Sequence, residues 1–136
     1  MLKLIVGKKG SGKTKQLISM VNESVTKTKG KVACIEKGTK LTFDVNHGAR
    51  LLNTDTYCIS GYDAFYGFLA GIAASDYDVK EIYVDSVGKI AGSDPAALEK
   101  LFDEVDALSE KEDVAFIMTL SLDASELAEK SKKYVI

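Results

Sequence analysis

Eight residues near the start of this chain combine the types that handle phosphate: Gly7-Lys8-Lys9-Gly10-Ser11-Gly12-Lys13-Thr14. The spacing is Gly-x-x-x-x-Gly-Lys-Thr. Without a Cβ, three glycines let the backbone wrap closely around phosphate oxygens. The loop N–H groups then act as inward donors, and a helix starting at the loop adds the positive end of its dipole. Lys13 has the length and charge to reach β- and γ-phosphates, and the Thr14 hydroxyl can ligate Mg²⁺.

Such a loop works only between a strand and a helix. Leu2-Lys3-Leu4-Ile5-Val6 reads as a short buried strand. Behind the loop, Leu17, Ile18, Val21 and Val25 give one apolar helical face, predicting a helix from about Gly12 to Thr26. Val32-Ala33-Cys34-Ile35 predicts a second buried strand, closed by Glu36. The alternation of Leu41, Phe43 and Val45, followed by a turn at 46–48 and a short apolar run at 56–59, predicts an edge strand or hairpin somewhere in 41–59. Residues 62–74 are apolar almost all round and predict a buried helix. Its Gly67 and Gly71 form a small-residue stripe, suited to packing on the sheet or to a dimer face. Ile82-Tyr83-Val84 predicts a third core strand, ending at Asp85.

Asp94-Pro95 opens another helix, since Asp caps and proline suits the first helical position. Val114–Leu120 predicts a fourth core strand. Asp123 and Glu126 have the spacing of a capping box for a last helix, and residues 134–136 read as a final short strand. Strands alternating with helices imply an α/β fold: a three-layer sandwich on a parallel sheet of about five core strands, plus the edge element. Ligands in such sheets bind beyond the C-terminal strand ends. The length of 136 residues suits one domain, 1–136.

The loop with its flanking elements resembles the P-loop NTPase superfamily, with a layout similar to minimal RecA/ASCE-like ATPases. That resemblance implies a three-layer fold, ATP as ligand and Mg²⁺ as cofactor. It implies that Asp85, after the apolar run 82–84, is a Walker B acid that orients Mg²⁺ with Thr14. Ser86 follows it, where many ATPases of this superfamily carry a water-activating glutamate. RecA-like members carry that glutamate at the end of the second core strand, which here is Glu36. Glu36 is either that base or a solvated charge. Thr119 and Ser121 close the fourth strand, where such proteins place a γ-phosphate sensor; a hydroxyl capping a turn is the other reading. Lys8 sits where ParA/MinD-like proteins carry a lysine that reaches a partner subunit's nucleotide, although Lys9 replaces the usual glycine there.

Absences narrow the function. No Asn-Lys-x-Asp appears, which favours ATP over GTP. A lone arginine, Arg50, cannot furnish the arginine-rich lid of a nucleoside-monophosphate kinase, and two cysteines cannot make a four-cysteine zinc site. Residues 1–50 carry eleven Lys/Arg against three acids, whereas 51–136 carry seven against seventeen. A basic end that holds a polyphosphate accounts for this better than a nucleic-acid surface, which favours Arg. No apolar run is long enough for a membrane span or signal peptide, and two thiols in apolar runs fit a reducing cytoplasm. The expectation is an ATP-binding protein, Lys13, Glu36 and Asp85 being its catalytic set. Hydrolysis would be slow and coupled to a homo-oligomer or protein partner. The alternatives are a non-catalytic nucleotide switch, moving through 37–50 and 86–93, and a small-molecule phosphotransferase.

Overall fold

The computed structural model describes all 136 residues. Five parallel strands form one sheet: β1 (Leu2–Val6), β2 (Lys31–Glu36), β3 (Ala49–Asn53), β4 (Val79–Val84) and β5 (Ala115–Leu120), in the spatial order β1-β5-β4-β2-β3. The inner strands are buried on both faces. That is why they read as continuous apolar runs rather than alternating ones.

Successive residues of each strand feed two different cores. On one face, Cys34, Tyr83 and Ile117 pack beneath α1 (Lys13–Lys27), through Leu17 and Val21. On the other, Ile35, Ile82, Val84, Phe116 and Met118 pack beneath α2 (Tyr62–Ser75) and α4 (Pro95–Glu112). The second core holds 23 buried residues against 10 in the first, so α1 rides on a thinner layer than the helices opposite. This is an α/β three-layer sandwich on an all-parallel sheet.

The C-terminal turn of α1 is tied to the sheet by a polar cluster. The Ser24 hydroxyl and the Tyr83 phenol each donate to Glu81 Oε1 at 2.8 and 2.7 Å, and Thr28 donates to Oε2. Burial works against the Glu81 carboxylate, but the Thr28, Tyr83 and Ser24 donors overcome it and hold its pKa below the ordinary 4.5. The lowered folded pKa gives stability that is present above pH 4.5 and lost as pH falls through the folded value. Glu81→Gln should therefore lose about 1–2 kcal/mol at pH 7. It should also flatten the acid limb of stability, as urea unfolding at pH 7 and below pH 4.5 would measure.

The edge strand exists, but at Ala49–Asn53, paired in parallel with β2, and no hairpin forms. The stretch holding Leu41, Phe43 and Val45 is a helical turn, closed by Val45 N–H donating to the Leu41 carbonyl. Leu41 and Val45 are buried against α1, while Phe43 between them is 97% exposed. The last helix is replaced by two 3₁₀ turns, Ala124–Glu126 and Glu129–Tyr134, although the Asp123/Glu126 capping box forms. Val135 makes a single parallel bridge to Leu4 in place of a final strand. On α2, Phe65, Leu69 and Ala73 face the core, whereas Gly67 and Gly71 face open space and pack on nothing.

Candidate functional site

The loop between β1 and α1 rises at the C-terminal edge of the sheet. Gly10 and Gly12 sit in the left-handed region at φ +83° and +88°, so the sequence needs glycine there to turn the chain into the helix. Lys13 lies at the first turn of α1 and is buried. Its Nζ folds back over the loop, donating to the Lys8 carbonyl at 2.8 Å and lying 3.4 Å from Ser11 Oγ. The Lys8 side chain is exposed.

β4 delivers Asp85 directly opposite Thr14. The Thr14 hydroxyl lies 3.0 and 3.1 Å from the two Asp85 oxygens. β5, inserted between β1 and β4, supplies a third member: the Thr119 hydroxyl donates to Asp85 Oδ1 at 2.7 Å and accepts the Ser86 N–H at 2.7 Å. Thr119 thus braces the Asp85 carboxylate and the left-handed turn at Ser86 (φ +61°), rather than facing the loop. Ser121, two residues on, does line the cavity over the loop. Thr119→Val should leave an Asp85 oxygen and the Ser86 N–H each short of a partner. The expected loss is about 1–3 kcal/mol, measurable by denaturant unfolding.

Thr14 and Asp85 fit a magnesium site. Mg²⁺ favours one or two protein oxygens plus substrate phosphates and water, not a dedicated cage.

Glu36 closes β2 as expected, but its two oxygens accept the Lys40 and Leu41 N–H groups at 3.0 and 2.9 Å. It holds the start of the 39–45 turn. Burial raises its pKa and nearby Asp85 raises it further, while the N–H groups of Leu41 and Lys40 pull it down; the balance lies above 4.5. It is absent from the cavity lining, and each of its oxygens retains a lone pair.

Arg50 lies across from Ala33 near the start of β3, and the loop lies beyond the opposite ends of the strands. Cys34 is buried in β2, where burial and the charges of Glu36 and Asp85 push its thiol up to about 12. The segment 86–93 packs on the body of the domain. Val87 and Ile90 are buried, a Cβ on Gly92 would collide with the Tyr62 hydroxyl, and that hydroxyl accepts the Asp94 N–H.

The cavity above the loop measures about 970 Å³. Three lysines of the loop region (Lys9, Lys13 and Lys15) line it, and Lys89 joins them from α3 (Val87–Ile90). Sequence reasoning missed Lys89 and Asp44 as lining residues. Their only signal is position, four residues past Asp85 for the one and inside the misread turn for the other.

Loop, acid and sheet order together define a P-loop NTPase fold. Caenorhabditis elegans PCH-2 is similar over 98% of this chain and 33% of its own, at 16% identity and a TM-score of 0.56. Domain III of the Thermotoga maritima replication initiation protein DnaA is similar over 97% of this chain and 50% of its own, at 17% identity and a TM-score of 0.52. The chain therefore spans between a third and a half of the structures it resembles, and at these identities the likeness is one of fold. No protein-family model and no curated protein matches the chain.

Proposed function

We propose that this chain binds a Mg²⁺–nucleoside triphosphate, ATP in preference to GTP, and hydrolyses it slowly. The observation that carries this reading is the hydrogen-bonded line Thr14–Asp85–Thr119 beside the glycine loop. A surface turn between strand and helix has no need of a buried-edge carboxylate aimed at its threonine.

In the Gly7–Gly12 loop, Lys8, Lys9, Gly10 and Gly12 would present backbone N–H groups to the phosphates, while the Gly7 and Ser11 N–H groups donate to the Leu122 and Lys8 carbonyls. Lys13 would leave the Lys8 carbonyl for the β- and γ-phosphates. Thr14 and Asp85 would hold Mg²⁺, which when bound neutralises charge on those phosphates. Glu36, buried and absent from the cavity lining, would orient a water once the 39–45 turn that it anchors shifts, and its raised pKa suits a base working nearer neutrality. Arg50, near the N-terminal start of β3, lies toward the end of the sheet away from the loop and is not placed to help in the same chain. The positive charge a fast reaction needs must then come from elsewhere, such as Lys8 of a second copy, so turnover should rise on self-association or partner binding. Calorimetry with Mg-ATP, Mg-GTP and Lys13→Ala tests the binding, and phosphate release tests the chemistry.

A second reading is a nucleotide-dependent switch without catalysis. The engagement of both Glu36 oxygens by backbone N–H groups favours it, as does Ser86 after Asp85. Under it, ATP- and ADP-bound forms differ in oligomer size or protease sensitivity, while phosphate release stays at background.

A further inference from the structure

One residue does not fit a phosphate cavity. Asp44 is the only acid among the lining residues, in a wall otherwise supplied with Lys9, Lys13, Lys15 and Lys89. Its carboxylate is exposed and takes no part in any ion pair or hydrogen bond of the chain. Yet its position is fixed. Asn22 Nδ2 donates to the Asp44 carbonyl at 2.9 Å, and Asn22 Oδ1 accepts the Asn46 N–H at 2.7 Å. Val45 beside it is buried against α1.

Asn22 lies eight residues after Thr14 on α1, about 12 Å along the helix axis at 1.5 Å per residue. Asp44 is thus held well down the helix from the loop that would carry the β- and γ-phosphates. A bare carboxylate repels phosphate, and it attracts hydroxyl or amino donors. Between the loop and Asp44 the wall carries Ile18, the only apolar residue lining the cavity. An apolar surface followed by a lone acceptor suits a nucleoside: a flat or puckered carbon body, then O–H or N–H donors.

We infer that Ile18 and Asp44 form the nucleoside end of this site, with the Asp44 carboxylate accepting from a ribose hydroxyl or a base amino group. The inference rests on the nucleotide-binding reading and adds to it the part of the ligand that the glycine loop cannot read. An acid that meets ribose hydroxyls in this way is familiar from dinucleotide sites on another α/β fold.

The test is calorimetry of the full chain with Mg-ATP and with Mg-tripolyphosphate, which has the phosphates and no nucleoside. Asp44→Ala, at an exposed position, should weaken ATP about tenfold and leave tripolyphosphate unchanged or tighter. Equal changes for both ligands, or none for ATP, would overturn the subsite while leaving phosphate binding intact. Failure of the unaltered chain to bind either ligand would overturn the nucleotide reading as well. Two analogues then separate the donors. If the Asp44 effect vanishes with 2′,3′-dideoxy-ATP, the ribose hydroxyls are the partner. If it vanishes with purine riboside triphosphate, which lacks the amino group and gains no other N–H, the base amino group is. Persistence of the effect with both would refute the hydrogen bond to the nucleoside.

Discussion

Lys13→Ala should reduce Mg-ATP affinity about a hundredfold and cost the unliganded protein little. A lysine that bonds two phosphate oxygens makes charge-assisted hydrogen bonds of about 1.5–3 kcal/mol each, and every 1.4 kcal/mol is tenfold. In the free protein the same Nζ has one good bond, to the Lys8 carbonyl. That carbonyl belongs to an exposed residue, so water can replace the lysine there. The variant should unfold at nearly the same denaturant concentration as the parent. The difference appears with ligand. At a hundred times the dissociation constant, ATP stabilises the parent by about 2.7 kcal/mol, and Lys13→Ala should lose most of that shift in a thermal scan. Equal affinity in the two proteins would remove the loop from the binding site and with it the whole functional reading.

The loop was legible because its chemistry is local. Glycines at left-handed positions, a lysine and a threonine have to be consecutive for the backbone to cradle anything, and the apolar runs on either side fixed their elements. Asp85 was legible for a related reason: a strand buried on both faces reads as an unbroken apolar run, so the first acid after it marks the edge of the sheet. Thr119 was placed correctly at the end of β5, but its target was not readable. Only the strand order, with β5 between β1 and β4, sets its hydroxyl against Asp85.

The stretch after β2 was misread because its spacing is ambiguous. Leu41 and Val45 are four apart, which satisfies both a period of two and one helical turn. Phe43 decides between them, and its exposure is a tertiary fact. β3 falls inside the stretch expected to hold an edge strand, but its bounds were not readable, because an edge strand pairs on one side only and Arg50 and Asn53 are tolerated within it. The same misreading hid Asp44. Inside a strand it would have been one more outward polar residue; in a turn pinned to Asn22 it lines the cavity. The final helix failed for a third reason. Its capping box is a local signal and it formed, but burial of Leu127, Ser131 and Tyr134 against the body draws the chain into 3₁₀ turns.

Glu36→Gln should separate enzyme from switch. If Glu36 orients the attacking water, the variant should lower phosphate release on the order of a hundredfold and leave Mg-ATP affinity within about twofold. The parent's rate should also depend on pH in a particular sense. Burial and Asp85 raise the Glu36 pKa, so the base form appears only above the ordinary carboxylate range, and the rate should climb as pH passes the raised value. The glutamine variant should lack that limb. Stability runs the opposite way. With the folded pKa raised above the unfolded 4.5, Glu36 favours folding fully below pH 4.5, and that contribution is lost as pH rises through the folded value. Glutamine removes this loss but has a single acceptor oxygen for the Lys40 and Leu41 N–H groups, one of them on a buried residue. The two effects oppose each other, so the variant should stay folded, with a net change of about 1–2 kcal/mol at most. A folded variant that binds ATP normally and releases phosphate at the parent's rate would take Glu36 out of the chemistry. Its carboxylate would then be an anchor for the turn that carries Asp44, and the switch reading would stand.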